Sequence, residues 1–391
     1  MSLRILLTTI LAALFILPVF SGCIGILDKY TGVEKKKETS PPKVILHTDP
    51  YPMLRDPDPM IGSEGKYFSG DIVDDNVILL ALKANQEKKI DLLGIVLSYG
   101  CGKLDQAEKE MQVLLDLTGY KIPVFNGAAS RYDMGVSNEG VKFMIDSVMK
   151  YPGEVTLMAV APLTDVATAA MLEPKFAHAL KQMYIMGGSR YGYSEFNFAN
   201  DPKAAKLVMN LDVEKVLAPN DIAFENPIYR TEVDEIGKSD SPVAQFVYDL
   251  AYKGMVMYPL YHYFLQTPKD PANASVDTSD LHFPAYDEMT LAYLDVFGLQ
   301  HLYTYEILAV DVNAEGMLPC EQVPAREITS NIVDNCDVGW NLYWGIGGTV
   351  FLDPATADPK NIMKVLVDVD RDAWARFFVD SFVNFPAAPV N

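Results

Sequence analysis

The feature that most constrains this chain is an alternation, between residues 43 and 218, of short apolar runs with stretches of helical periodicity. Lys43 to His47 (KVILH), Ile90 to Leu97 (IDLLGIVL), Pro123-Val124-Phe125, Val155 to Val160 (VTLMAV), Gln182 to Met186 (QMYIM) and Val213 to Ala218 read as strands. Asn76 to Ala84, Leu104 to Thr118, Val141 to Tyr151, Leu163 to Met171 and Pro202 to Asn210 carry apolar residues at helical spacing. Runs that are apolar on consecutive residues suit strands buried on both faces, and strands joined by helix-length segments pair in parallel. The expected fold class is α/β, with an open, mainly parallel, Rossmann-like central sheet flanked by helices. Beyond residue 225 the pattern changes. Val243 to Leu265 is a long aromatic-rich helical stretch, Glu288 to Asp295 a further helix, Tyr303 to Phe351 alternates like strands, and Arg371 to Val383 is a terminal helix. We find no internal repeat.

The N-terminus sets the compartment. Arg4, the apolar run Ile5 to Phe20 and Ser21-Gly22-Cys23 have the layout of a secretory signal that ends in a lipobox-like sequence. The expected division is a lipoprotein-type signal over 1–22, a polar tether over 23–42 with Lys35 to Lys37 and Ser40-Pro41-Pro42, and one domain over 43–391. Lipidation at Cys23 would leave the protein exported and anchored to a bacterial membrane, in the periplasm or on the cell surface; an uncleaved anchor helix is the alternative. In an oxidising compartment Cys320 and Cys336 are a candidate disulfide, which leaves Cys101 as a free thiol. A net charge of −20 argues against nucleic-acid binding, because a phosphate backbone would be repelled.

In a parallel sheet of this kind ligands sit beyond the carboxyl ends of the strands. The first strand ends in His47-Thr48-Asp49-Pro50, and Gly70-Asp71-Ile72-Val73-Asp74-Asp75 precedes a helix. Carboxylates crowded near one strand end repel unless a cation holds them, and a hard divalent cation with oxygen ligands is the usual answer. Asp74 and Asp75 also stand at a helix start, where capping alone would account for one of them. Later strand ends carry Val160-Ala161-Pro162-Leu163-Thr164-Asp165, then Met186-Gly187-Gly188, then Glu195-Phe196-Asn197 and Asp201-Pro202-Lys203-Ala204-Ala205. Tyr286-Asp287 precedes the late helix.

The order of these pieces resembles the inosine–uridine nucleoside hydrolases, from about Lys43 to Phe382. That family opens with Asp-x-Asp-Pro-Gly-x-Asp-Asp and continues with Gly-Pro-Leu-Thr-Asn, Met-Gly-Gly, Glu-Phe-Asn, Asp-Pro-Glu-Ala-Ala and His-Asp. Each motif is weak alone; in this order and after strands they are specific. The resemblance implies Ca²⁺ held by Asp49, Asp75, the Val160 carbonyl and Asp287. It implies a water acidified by that ion, with Asp49 as the catalytic proton acceptor, attacking the anomeric carbon of a small-molecule nucleoside or related riboside through an oxocarbenium-like transition state. Asp74, Glu195, Asn197 and Tyr286 would contact the substrate. Family members commonly self-associate, so a homo-oligomer is compatible.

Departures stand beside the matches. His47 replaces the first Asp of the opening motif, Tyr51 to Gly70 is inserted within it, Cys101 in Ser98-Tyr99-Gly100-Cys101-Gly102 takes the place of an Asn, the loop between Gly188 and Glu195 is short and lacks a further sugar-binding Asn of the family, and Tyr286 replaces the His. The metal half is kept and the substrate half is altered. Hydrolysis is the expected activity; a noncatalytic nucleoside- or sugar-binding lipoprotein is the alternative, and a surface adhesion module a third. Among the histidines, His178 reads as structural, His262 as an aromatic-stripe residue able to stack on a base, and His282 as a candidate substitute acid.

Overall fold

A computed structural model describes residues 40–51, 73–192, 194–252, 255, 281–314 and 348–386. The architecture belongs to the unit Pro42–Asn391. Cys23, Cys320, Cys336, Asp71, His262 and all but Tyr51 of the inserted stretch lie outside the described residues.

The strands are β1 (Lys43–Thr48), β2 (Asp91–Leu97), β3 (Val124–Asn126), β4 (Val155–Ala159), β5 (Gln182–Met186), β6 (Lys215–Ala218), β7 (Ile228–Tyr229), β8 (His282–Phe283), β9 (Tyr303–Val312), β10 (Thr349–Leu352) and β11 (Ile362–Val369). Among the described residues, nine form one sheet in the order β10-β9-β11-β6-β5-β4-β1-β2-β3, and β7 pairs with β8 apart from it. The block from β6 to β3 is parallel throughout. The chain therefore winds outward both ways from β1, through β2 and β3 on one side and β4, β5 and β6 on the other. The gap between β1 and β4 is the topological switch point, where a crevice opens beyond the carboxyl ends of the strands.

The crossover helices are α1 (Val73–Gln86), α2 (Leu104–Thr118), α3 (Glu139–Lys150), α4 (Thr164–Leu172), α5 (Phe196–Asn200), α6 (Pro202–Met209) and α7 (Asn220–Glu225), followed by α8 (Tyr286–Ala292) and α9 (Arg371–Val383). Strand β1 shows why the apolar runs are continuous. Val44 and Leu46 join the cluster that includes Ile78 and Leu82 of α1, while Ile45 joins the opposite cluster with Val141 and Met144 of α3. Side chains alternate across a strand, so each face needs its own apolar set. Thr48 continues the face of Leu46, and His47 that of Ile45.

Three expectations shift. α1 begins at Val73 rather than Asn76, with Asp74 and Asp75 in its first turn. The late helix runs from Tyr286, earlier than Glu288, so Asp287 lies within it. The alternation after Tyr303 yields β9 and β10, but β11 was not anticipated. It inserts between β9 and β6, antiparallel to the first and parallel to the second.

Candidate functional site

β1 delivers Thr48 and Asp49 to the switch point, and both are buried. Asp74, in the first turn of α1, latches onto that strand end. Its Oδ1 accepts hydrogen bonds from the Thr48 hydroxyl and, at 3.0 Å, from the Asp49 amide. Asp49 Oδ2 accepts from the Cys101 amide at 2.8 Å in the loop that follows β2. Gly100 makes this approach feasible, since a Cβ there would collide with the Asp49 carboxylate and stand 2.9 Å from Pro162 Cδ. Ligand atoms of Asp49, Asp74 and Cys101 all lie within 4.8 Å of one another. Two buried carboxylates this close repel, and a divalent cation relieves that repulsion.

The other expected ligands sit at neighbouring chain ends. Asp75 follows Asp74 on α1, and Asp287 is in the first turn of α8; both are buried. The two helix starts are tied together by the Asn76 amide, which donates to Glu288 Oε1 at 2.9 Å. The Val160 carbonyl, just past β4, accepts from Asn197 Nδ2 at 3.0 Å. Carboxylate and carbonyl oxygens are the hard donors that Ca²⁺ takes, and the Cys101 thiol is the soft exception. The donor set thus fits a divalent cation. Asp74 and Cys101 join Asp49 more closely than sequence reasoning assigned, since Asp74 was expected at the sugar and Cys101 given no ligand role.

The expected sugar contacts have local duties as well. Glu195 caps α5, accepting from the amides of Asn197 at 2.9 Å and Phe198 at 3.1 Å, and from Gly188 at 3.0 Å. Asn197 Nδ2 also lies 3.3 Å from Met186 Sδ. Tyr286 is buried and packs edge-on against half-exposed Phe224, ring centroids 5.4 Å apart. His282 lies in β8 with its ring edge-on to Tyr229, and His178 is exposed near Asp212.

A second buried acid lies on the opposite face of β1. Asp165, in the first turn of α4, is fully buried, as is His47. Its Oδ2 meets His47 Nε2 at 3.2 Å and the Ser98 hydroxyl at 3.0 Å, and its Oδ1 accepts from Asn138 Nδ2 at 2.9 Å. Burial alone would raise the Asp165 carboxyl, but the hydrogen bond and charge of His47, with the Ala128 amide and Asn138, hold it below the ordinary carboxylate range. Asp201, the cap of α6, goes the other way: burial pushes it up despite donors from the Ala204 amide and Thr164. Sequence reasoning missed Ser98 and Asn138. Asn138 was readable as a helix cap, directly before the α3 pattern.

A family model described as inosine-uridine preferring nucleoside hydrolase matches residues 68–376. The pyrimidine-specific ribonucleoside hydrolase RihB of Escherichia coli (strain K12 / DH10B) is 23% identical over 312 residues, spanning 70% of this chain and 92% of that protein. A probable uridine nucleosidase 1 of Oryza sativa subsp. japonica is 24% identical over 216 residues, 46% of this chain and 64% of the rice protein. Among solved structures, the plant nucleoside hydrolase PpNRh1 superposes with a TM-score of 0.62 at 22% identity, covering 88% of this chain and 100% of that one. At that identity the likeness speaks for the fold.

Proposed function

The chain belongs to the inosine–uridine preferring nucleoside hydrolase family, hydrolases of N-glycosyl compounds, and from that premise we propose that it hydrolyses the N-glycosidic bond of a ribonucleoside or related riboside. The observation that carries the reading is the placement of Asp49. It is buried at the switch point, fixed by the Cys101 amide, and crowded against Asp74.

Asp49, Asp75, the Val160 carbonyl and Asp287 would hold Ca²⁺, with Asp74 beside them. When bound, the ion supplies the positive charge that acidifies a water and offsets the crowded carboxylates. Asp49 accepts the proton of the attacking water. The water oxygen adds to the anomeric carbon as the C–N bond breaks and its electron pair leaves with the base. Positive charge that develops on the sugar is stabilised by the surrounding carboxylates. Asp74, Glu195 and Asn197 orient the sugar, and Tyr286 with Phe224 flanks the leaving base. Binding without turnover is a second reading, favoured by the main-chain bonds of Glu195 and Asn197. We further place the protein outside the cytoplasm, anchored through lipid on Cys23; a Cys23→Ala variant should then lose labelling by radioactive palmitate.

The decisive experiment is release of reducing sugar from purine, pyrimidine and nicotinamide ribosides by the full chain in detergent, with Ca²⁺ and then with a chelator. The expected result is Ca²⁺-dependent release from at least one riboside. Saturable nucleoside binding with no release from any would instead favour the second reading.

A further inference from the structure

We propose that His47 and Asp165 form a positioning pair that holds the loops of the Asp49 site in register, and that the two residues have exchanged chemistry together. In the motifs this chain otherwise follows, the first position of the opening motif is an Asp and the last position of Gly-Pro-Leu-Thr-Asn is an Asn. Here those positions are His47 and Asp165. Taken singly, each is a departure. The structure puts them in contact, 3.2 Å apart across 118 residues of sequence, with neither side chain exposed. In this chain the acid of the pair stands on the helix and the imidazole on the strand, so the contact holds one carboxylate. An imidazole at 47 can donate to the carboxylate at 165, which a second carboxylate could not do without taking up a proton. The inference deepens the hydrolase reading and takes its catalytic meaning from it.

What the pair touches gives it a positioning role. Asp165 gathers His47 at the end of β1, Ser98 just past β2, the Ala128 amide past β3 and Asn138 at the cap of α3. Gly127 clears the space, because a Cβ there would stand 2.5 Å from Asp165 Oδ2. The same chain ends carry the working groups. Asp49 lies two residues beyond His47, the Cys101 amide three residues beyond Ser98, and the Val160 carbonyl five residues before Asp165. His47 Nδ1 has no hydrogen-bond partner among the described residues, so Asp165 is what sets the orientation of the ring. Moving the pair therefore moves the Asp49, Cys101 and Val160 groups relative to one another.

The test compares the wild type with His47→Asp, Asp165→Asn and the double variant His47→Asp/Asp165→Asn, each as the full chain. His47→Asp sets two buried carboxylates against each other. Asp165→Asn leaves the imidazole facing an amide. The double variant restores the acid–amide combination of the motif. Two readouts are taken: amide hydrogen exchange over 98–102 and 160–164, with β5 as internal standard, and kcat and KM on a cleaved riboside. The expected result for each single variant is faster exchange in both segments with β5 unchanged. kcat should fall about 100-fold at an unaltered KM, the size of loss that a small misplacement of reacting groups produces. The double variant should recover most of both. A His47→Asp protein that fails to fold while the double variant folds counts as the same rescue. A double variant no better than the worse single, or an Asp165→Asn protein with unchanged exchange in both segments, overturns the proposal. The exchange arm decides the matter even for a wild type that cleaves nothing, so failure of the hydrolase reading remains distinguishable.

Discussion

The end of β1 faces two ways, and buried acids on its two sides are neutralised differently. Towards α4, Asp165 is surrounded by donors from the protein itself: His47, Ser98, Asn138 and the Ala128 amide. Towards α1, Asp74 takes its donors from the strand end, and its ligand atom lies within 4.8 Å of those of Asp49 and Cys101. The first arrangement answers a buried charge with hydrogen bonds and an opposite charge, and it is complete as it stands. The second places acid against acid. The Thr48 hydroxyl and the Asp49 and Cys101 amides serve these carboxylates, and the close approach of two acids and a thiol gives a set of ligand atoms that could hold a cation.

The comparison breaks most sharply at Asp49. Asp49→Ala removes the proposed proton acceptor and one expected ligand while leaving a buried site that can close over a methyl. Turnover should fall by about 10²- to 10⁴-fold, the usual worth of a positioned base. The circular dichroism spectrum should be retained, and the rise in melting temperature on adding Ca²⁺ should disappear. A variant that keeps its turnover would mean that Asp49 takes no part in the reaction.

A finer cut deletes one hydroxyl from each face. Thr48→Val removes a hydrogen bond to Asp74 at nearly constant volume and should cost roughly 1.5–3 kcal/mol, as for a bond to a charged acceptor. Ser98→Ala should cost about 1 kcal/mol, because His47, Asn138 and the Ala128 amide still serve Asp165. Urea midpoints at constant m-value measure both. The two should separate in kcat: Thr48→Val lowers it more, because Asp74 loses one of its bonds to the strand end beside Asp49, whereas after Ser98→Ala Asp165 is still held by His47, Asn138 and the Ala128 amide. Equal effects on kcat would erase the distinction between the faces.

Much of this was legible in the sequence, and what was not has a physical reason. The parallel block was readable because strands buried on both faces are apolar on consecutive residues, and because α2 and α9 carry full helical patterns at the bounds observed. β11 was missed although IMKVLVDV alternates, because it directly precedes α9 and its neighbours β9 and β6 are remote in sequence. The strand-end acids were readable from position alone. The pairing of His47 with Asp165 was not, since no local pattern links residues that far apart. Nor was the double duty of Glu195, whose cap to α5 and bond to the Gly188 amide depend on where the loop after β5 folds back.

The smallest effect expected is a difference in slope with pH, and it separates two acids that burial alone would treat alike. Asp165 is held below the ordinary carboxylate range, so the unfolded chain takes up that proton first as pH falls. Its stabilisation is complete above the unfolded value, about pH 4, and is lost as pH falls through the lower folded value. Asp201 is raised by burial, so the folded chain takes up that proton first. Its contribution is present below about pH 4 and is lost as pH rises through the raised folded value. Stability of the wild type, Asp165→Asn and Asp201→Asn, followed by urea unfolding across the acid range, should show this. The advantage of the wild type over Asp165→Asn should shrink on acidification, whereas its standing against Asp201→Asn should improve. Parallel slopes would mean that His47 does not compensate Asp165, and that the α4 side of β1 is no better neutralised than the side that carries Asp49.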